Sequence, residues 1–324
     1  MILKNYIKKH IKKYTKINAK YNSTKCNIKM YEYESAANPK LNKIPIEILE
    51  NYNYNKNNES EIKIFDLSKK INTEYKATSP NLLASFINVK KNSNFVFKNH
   101  SSTNMFYVIN GDGFLKYHDN IYDVSKGDII TIPFNENEIG LKSNNNGLSL
   151  YHVDDSPLMN YLGVTPNKII VPPTIYKKSD ILSFMEKINS EDGAENRNRN
   201  GVLLGNTVTE KLGTKTLTNI LWSLYNIIKS NSVQKPHKHN SVALDLCTYA
   251  VENKVYTLIG KELDENGKII NPEKVYWKTG CAFTTPPGYW HSHVNESNEN
   301  AYVLPIQDAG LYTYQRTLDI KFVD

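Results

Sequence analysis

The chain has 324 residues, of which 40% are hydrophobic, enough to build one large core or two medium ones. No apolar run is long enough to cross a bilayer, which argues against a membrane-spanning protein. The formal net charge of +7 has much of its excess near the N-terminus, so it is weak evidence for a nucleic-acid partner. Three scattered cysteines, Cys26, Cys247 and Cys281, favour a reducing compartment over a disulfide framework or a Cys-rich zinc site.

Residues 1–30 form a basic N-terminal extension without a single Asp or Glu. Five side chains are spaced to share one helical face: Leu3, Ile7, Ile11, Tyr14 and Ile17. This pattern resembles a mitochondrial presequence, and it fits a disordered basic tail as well. The expected location is therefore the cytoplasm or the mitochondrial matrix.

Residues 31–170 are predicted to form a first β-domain. Its second half contains short β-type segments that are separated by Gly, Asn and Asp turn residues. These segments are LLASFINV (82–89), NFVFK (94–98), MFYVI (105–109), GFLKY (113–117), GDIITIP (127–133) and SLYHV (149–153). Short strands at this spacing predict a sandwich or a barrel.

Residues 171–214 are predicted to be a linker that contains a helix. The helical spacing covers 178–189, with Ser179 and Asp180 as start signals. The polar stretch SEDGAENRNRNG (190–201) follows and is expected to separate the two domains.

Residues 215–324 repeat the pattern of the first domain. Corresponding segments are KGDIITIPFNENE (126–138) and KTGCAFTTPPGYWH (278–291), each with a Gly-Asp or Thr-Gly turn and a strand that ends in proline, before a closing strand. An internal duplication of this kind predicts an all-β fold of two tandem jelly-roll barrels with short connecting helices.

Three histidines of the second domain have the spacing of a metal site. Alternate residues of a strand point to the same face, so His237 and His239 of the segment PHKH enter a barrel together. A Pro-Pro-Gly turn before His291 brings a third imidazole from a neighbouring strand. Neutral imidazole suits Fe(II), Mn, Ni, Cu and Zn, so the pattern predicts a metal without choosing one. The HxH segment alone would also fit two histidines at the edge of a core.

Further side chains are candidates for roles around this metal. His293 shares the alternation of His291 and is a candidate for orienting the site or handling protons, with a solvated position as the alternative. Gln307 and Asp308 are candidates to line the cavity mouth or to brace a ligand histidine. Asp245 lies on the alternation phase of the first two histidines and is a weaker candidate for a supporting role.

Arginine is far rarer than lysine in this chain, which makes each of Arg197, Arg199 and Arg316 noteworthy. Arg316 lies in the closing strands of the predicted second barrel. A guanidinium there is a candidate to hold a substrate carboxylate through two parallel hydrogen bonds, which lysine reproduces poorly. A structural ion pair with Asp308 or Asp319 is the alternative interpretation.

With these motifs, residues 31–324 resemble the two-cupin family of gentisate 1,2-dioxygenase and its salicylate and hydroxynaphthoate relatives. The segments VDDSPLMNYLGV (153–164) and PIQDAGLYTYQRTLDI (305–320) are similar to those that close the barrels in that family. The resemblance implies tandem cupin barrels, non-haem Fe(II) held by three histidines, and a homo-oligomer such as a dimer or tetramer. It further implies that O₂ and a hydroxylated aromatic acid are the substrates of a ring-cleaving dioxygenase.

The first domain departs from that family because Lys98, His100 and Glu138 stand where a first metal triad aligns. We expect this barrel to be degenerate, with a partial site as the alternative. A metal-binding cupin that binds or isomerises a small acid without O₂ chemistry is the second functional hypothesis. For the dioxygenase, a dry cavity lined by Trp222, Tyr289 and Trp290 is expected.

Overall fold

The computed structural model describes residues 29–51, 59–134 and 138–323, so the proposed presequence pattern lies outside the described residues. The chain divides into two compact units, Met1–Leu41 and Asn42–Asp324. The described part of the first unit contains one short helix, α1 (Tyr33–Ala36), whose N-terminus is capped by the Glu32 carboxylate. Among the described residues, no helix is long and apolar enough to cross a membrane.

The first barrel of the second unit is built on one antiparallel eight-stranded sheet. Its strands are β2 (Glu61–Phe65), β3 (Leu83–Val89), β4 (Asn94–Phe97), β5 (Thr103–Tyr117), β6 (Asn120–Ser125), β7 (Ile129–Pro133), β8 (Ile139–Asp154) and β9 (Thr174–Tyr176). The main order is β2-β3-β8-β5-β7-β9, with β4 paired to β8 and β6 paired to β5. The two longest strands, β5 and β8, therefore form the centre of this barrel.

The second barrel is made of two antiparallel sheets that also contain β1 (Ile48–Leu49). The other strands are β10 (Asn200–Leu203), β11 (Trp222–Ile228), β12 (Ser232–Val233), β13 (His237–His239), β14 (Ala243–Tyr249), β15 (Val255–Gly260), β16 (Glu273–Tyr276), β17 (Ala282–Thr285), β18 (Trp290–Asn295), β19 (Ala301–Gln307) and β20 (Ile320–Phe322). One sheet has the order β1-β17-β14-β19-β11-β10 and the other β16-β15-β18-β13-β20, with β12 paired to β18.

Short helices connect and flank the barrels. They are α2 (Ser68–Ile71), α3 (Ser156–Leu162), α4 (Lys178–Asn189), the 3₁₀ turn Ala194–Asn196, α5 (Thr207–Lys211) and α6 (Ala309–Gln315). The predicted helix over 178–189 is confirmed as α4. Helices α3 and α6 follow the last long strand of each barrel, and both end at a residue with left-handed backbone, Gly163 (φ 63°) and Arg316 (φ 62°). The matching ends of these two helices agree with the predicted duplication.

The predicted all-β fold of tandem jelly-roll barrels is confirmed by this topology. The predicted linker 171–214 contributes strands to both barrels, because β9 pairs with β7 and β10 pairs with β11. Strand β1, which precedes the first barrel in sequence, pairs with β17 of the second. These pairings join distant parts of the chain, so a pattern within one short window does not reveal them.

Hydrophobic residues form one core between the barrels and one inside each barrel. Alternation along β14 separates two of these cores. Leu244 and Leu246 belong to the core between the barrels, whereas Cys247 belongs to the interior of the second barrel. Asp245 has the phase of Cys247 and so faces that interior, as its sequence phase predicted.

Candidate metal centre

The three predicted histidines are brought together by strand pairing in the second barrel. Strand β13 lies between β18 and β20, and His237 is directly opposite His291 across the β13–β18 pair. His239 follows two residues later on the same face. The amide of Gly288 donates a 2.7 Å hydrogen bond to the His239 carbonyl, which holds the turn before His291 against β13. With φ at +76°, Gly288 suits a turn that other residues rarely adopt.

One ligand atom from each of the three imidazoles lies within 4.8 Å of the others. The ring centroids are 3.9 Å apart for His237 and His291, 4.9 Å for His239 and His291, and 5.8 Å for His237 and His239. Among the described residues, this is the one group of three or more His, Cys, Asp or Glu side chains close enough together to hold a metal ion. Such a spacing allows all three nitrogens to bind one ion.

The hydrogen bonds of two of these rings leave a nitrogen free for a metal. His239 Nδ1 lies 2.8 Å from the Ser241 carbonyl, and His291 Nδ1 lies 3.2 Å from the Tyr289 carbonyl. A carbonyl accepts only, so each Nδ1 carries the proton and each Nε2 keeps its lone pair. His239 Nε2 is buried and has no hydrogen-bond partner within the described residues. An orphaned buried nitrogen beside two other imidazoles fits a divalent metal ligand.

Burial keeps these imidazoles neutral. Removal from water lowers the pKa of His239 to about 4, with the cation of Arg199 acting in the same direction. The pKa values of His237 and His291 are lowered well below the ordinary value by burial and by the neighbouring histidines. Neutral nitrogen is the form that binds a metal, so the site needs no deprotonation at physiological pH.

We expect metal to be retained on acidification to about pH 5, below the ordinary histidine pKa near 6.5. Protons displace the metal only as the pH approaches the lowered pKa of His239, about 4, so affinity is lost as pH falls. Bound zinc measured after dialysis at stepped pH tests this. A release midpoint near pH 6.5 would contradict it.

Gln307 and Asp308 contact the two residues that begin the chain after Asn240, next to His239. Gln307 Oε1 accepts a 2.7 Å hydrogen bond from the Ser241 hydroxyl, which lies 3.1 Å from His239 Nδ1. Asp308 accepts hydrogen bonds from the Val242 amide at 3.0 Å and from the Asn81 side chain at 2.7 Å. Burial raises the pKa of Asp308 to about 6. Both residues therefore hydrogen-bond the segment that follows His239, and bracing of that ring remains their predicted role.

Replacing Gln307 by leucine is expected to weaken metal binding about tenfold while the barrel stays folded. The substitution removes the acceptor of the Ser241 hydroxyl, and with it a constraint on the His239 ring. Zinc titration against a chromophoric chelator measures the change. Gln234→Leu is the matched control, because Gln234 is buried in the same barrel and its side chain bonds Asn226 and the Ile227 carbonyl. Equal losses in both variants would refute the bracing role.

His293 lies two residues after His291 on β18 and is buried as well, so the solvated position considered for it is wrong. Its Nδ1 lies 2.9 Å from the Thr257 hydroxyl, which also accepts a 2.8 Å hydrogen bond from the Trp277 indole. Burial lowers the pKa of His293 to about 3. The ring is thus neutral at physiological pH, and its centroid lies 5.9 Å from that of His291. A neutral ring cannot act as a cationic acid, so orientation of the site remains the prediction for His293.

Arg199 also reaches the site, although no residue pattern of the polar loop pointed there. Its Nη2 lies 2.7 Å from His237 Nδ1 and 2.5 Å from the Lys235 carbonyl. The guanidinium carbon is 5.0 Å from the centre of the Phe322 ring. Burial lowers the pKa of Arg199 only to about 10, so the side chain remains a cation. The rarity of arginine in this chain was the one available signal.

Arg316 is placed elsewhere. It ends α6 with an exposed side chain, and its guanidinium bonds the Tyr314 carbonyl and lies 5.3 Å from the Tyr314 ring centre. None of the described contacts of the three histidines includes it. Arg316 was expected on a strand that enters the barrel, but the residues before it form helix α6. The left-handed backbone of Arg316 ends this helix, and the chain continues to β20.

The aromatic residues expected around the metal have different positions. Trp222 is half-buried and directly opposite Gln307 across the β11–β19 pair. Tyr289 lines a surface cavity of about 700 Å³ beside the turn that precedes His291. Trp290 is next to His291 on a strand and so faces the opposite side, where the Lys238 ammonium is 4.7 Å from its ring centre.

In the first barrel, the three aligned positions do not form a triad. Lys98, His100 and Glu138 are exposed, and His100 Nε2 is 2.8 Å from the Val164 carbonyl. The interior of this barrel is filled by an apolar cluster instead. His152 is buried there with hydrogen-bond contacts to Asn104 at 3.0 Å and Ser85 at 3.2 Å. These positions agree with a barrel whose metal site is degenerate, which remains a prediction.

Fold and histidine group together define a protein of two tandem cupin barrels with a three-histidine candidate metal site in the second. Solved structures of salicylate 1,2-dioxygenase from Pseudoaminobacter salicylatoxidans share this fold. One mutant form of that enzyme aligns with a TM-score of 0.65 and 10% identity over 97% of both chains. Another mutant form, in complex with gentisate, gives a TM-score of 0.64 and 11% identity over 88% of this chain and 87% of that one.

A structure of oxalate decarboxylase also aligns, with a TM-score of 0.51, 13% identity and coverage of 77% of this chain and 73% of that one. No protein-family model matches the sequence, and no curated protein matches it. The predicted resemblance to two-cupin dioxygenases is therefore confirmed in the fold.

Proposed function

We propose that this protein is a non-haem Fe(II) dioxygenase that cleaves the ring of a hydroxylated aromatic carboxylic acid. The observation that carries the proposal is the neutral three-histidine group with a buried arginine beside it. The salicylate 1,2-dioxygenases with the same fold, one of them in complex with gentisate, support the substrate class. The bound metal would supply the redox chemistry that allows O₂ to react with an aromatic ring.

His237, His239 and His291 would hold that metal, because their nitrogens converge and the rings are neutral. Three neutral ligands leave the charge of a divalent ion uncompensated, and Arg199 adds a further positive charge. Among the residues that the structure describes, no carboxylate forms an ion pair with Arg199. A site with this charge favours an anionic substrate.

Arg199 is the candidate to bind the carboxylate of that substrate. Its Nε is buried and has no hydrogen-bond partner within the described ranges. A guanidinium with a free Nε–H and a neighbouring N–H can bind both oxygens of a carboxylate. In this arrangement Arg199 orients the acid beside the histidines, the role that the sequence assigned to Arg316.

The test is O₂ uptake by the Fe(II)-loaded protein with salicylate, gentisate and 1-hydroxy-2-naphthoate as substrates. One O₂ consumed per ring lost from the ultraviolet spectrum is expected for at least one acid. Uptake without ring loss, or none with a broader set of hydroxylated aromatic acids, would refute the proposal. Tight binding of the acids without O₂ uptake would support the second hypothesis, a cupin that binds or isomerises a small acid, which the same positive charge favours.

A further inference from the structure

The contact between Arg199 and His237 limits what His237 can bind. A neutral imidazole has one protonated nitrogen and one nitrogen with a free lone pair. A guanidinium only donates, so the 2.7 Å contact from Arg199 Nη2 requires the lone pair of His237 to be on Nδ1. The proton of His237 is then on Nε2.

A metal ion bound to His237 needs that same lone pair. If it binds Nδ1, it takes the place of the Arg199 donor. If it binds Nε2, the proton moves to Nδ1, where it faces a donor and no hydrogen bond is left. His239 and His291 have no such conflict, because their Nδ1 atoms face carbonyl acceptors. Metal binding and the Arg199–His237 hydrogen bond therefore exclude each other.

The structure gives Arg199 a way to remain at the site after this exchange. Its Nη2 also contacts the Lys235 carbonyl at 2.5 Å, and its guanidinium lies 5.0 Å from the centre of the Phe322 ring. Phe322 is opposite His237 in the β13–β20 pair, so this support belongs to the strand beside the metal ligands. The released N–H and the unpartnered Nε then need an acceptor, and among the described residues no carboxylate forms an ion pair with Arg199.

We propose that Arg199 couples metal binding to carboxylate binding. The metal takes the lone pair of His237, Arg199 exchanges His237 for a carboxylate, and each ligand tightens the binding of the other. The choice of an aromatic carboxylate rests on the proposed function, whereas the coupling itself needs no O₂ chemistry.

The test measures Co(II) affinity without O₂, in the presence and absence of saturating benzoate. For the wild type we expect benzoate to tighten Co(II) binding about tenfold, within the usual range of coupling between two sites. Arg199→Met should bind Co(II) more tightly than wild type without benzoate, because the competing donor is gone. In that variant benzoate should change the affinity less than about twofold, because the coupling residue is missing.

Arg197→Met is the matched control, since Arg197 lies in the same segment but pairs with Glu191. It should keep the wild-type coupling. Linkage also requires Co(II) to tighten benzoate binding by the same factor in the wild type, which tests the proposal without any variant. If Arg199→Met does not fold, benzoate should tighten Co(II) binding less in Arg199→Lys than in the wild type, because an ammonium lacks the two parallel N–H donors of a guanidinium.

An equal benzoate effect in wild type and Arg199→Met would overturn the coupling, because benzoate would then act on the metal alone. Absence of a benzoate effect in the wild type would overturn it as well. Neither result depends on turnover, so a protein without ring-cleaving activity can still show the coupling. Conversely, the protein could cleave an aromatic ring while benzoate changes Co(II) affinity equally in wild type and Arg199→Met. That result would support the proposed function and contradict the coupling through Arg199.

Discussion

Replacement of His237, His239 or His291 by alanine is expected to reduce bound metal to background and to abolish any metal-dependent activity. Each substitution removes one of three converging nitrogens, and two neutral nitrogens are too few to hold a divalent ion firmly. The apolar core of the second barrel does not include these rings, so circular dichroism should show a folded protein. Metal content by mass spectrometry after gel filtration is the measurement.

His100→Ala provides the control, because His100 aligns with a ligand position of the first barrel but is exposed and contacts the Val164 carbonyl. Its metal content should equal that of the wild type. Full metal occupancy in any of the three alanine variants would remove that histidine from the ligand set. A second equivalent of metal that is lost in His100→Ala would show that the first barrel also binds a metal.

Arg199→Lys is expected to raise the KM for an aromatic acid at least about tenfold, equivalent to a loss of about 1.4 kcal/mol in kcat/KM. Lysine keeps the charge but loses the planar fork that binds two carboxylate oxygens. Steady-state O₂ uptake at saturating metal measures the effect. A substrate analogue without the carboxylate should be poor for the wild type and little affected by the substitution.

Arg197→Lys is the control from the same segment, and its kinetics should match the wild type because Arg197 pairs with Glu191. Arg316→Lys tests the role that the sequence suggested for Arg316. The exposed position of Arg316 predicts the smaller effect of the two. If Arg316→Lys raises KM and Arg199→Lys does not, the carboxylate site has been assigned to the wrong arginine.

The strands and the histidine group were predictable from the sequence because both depend on local periodicity. Alternation places His237 and His239 on one face, and a turn rich in proline and glycine returns His291 to the neighbouring strand. The internal duplication could be predicted for the same reason, because strand and turn segments recur in the same order in both halves of the sequence. Helix α4 had the apolar spacing and the start signals of an ordinary surface helix.

Arg199 could not be assigned to the site, because its neighbours in sequence carry the signals of a polar loop. The contact with His237 joins residues 38 positions apart. It depends on β10 pairing with β11, which brings the end of the loop to the second barrel. The expected position of Arg316 inside the barrel was wrong for the opposite reason. Its segment has the alternation of a strand, but the chain forms α6 there.

The core between the barrels determines which substitutions the first barrel can accept. Phe86, Met105 and Tyr151 of that barrel are buried in the same cluster as Leu244 and Ile306 of the second. Removing the first barrel would expose those apolar side chains to water, so neither half is expected to fold as an independent domain. Selection can therefore relax at the exposed positions of the first barrel while its packing face stays constrained. If the first barrel binds no metal, as predicted, it still serves the second barrel by covering this apolar face.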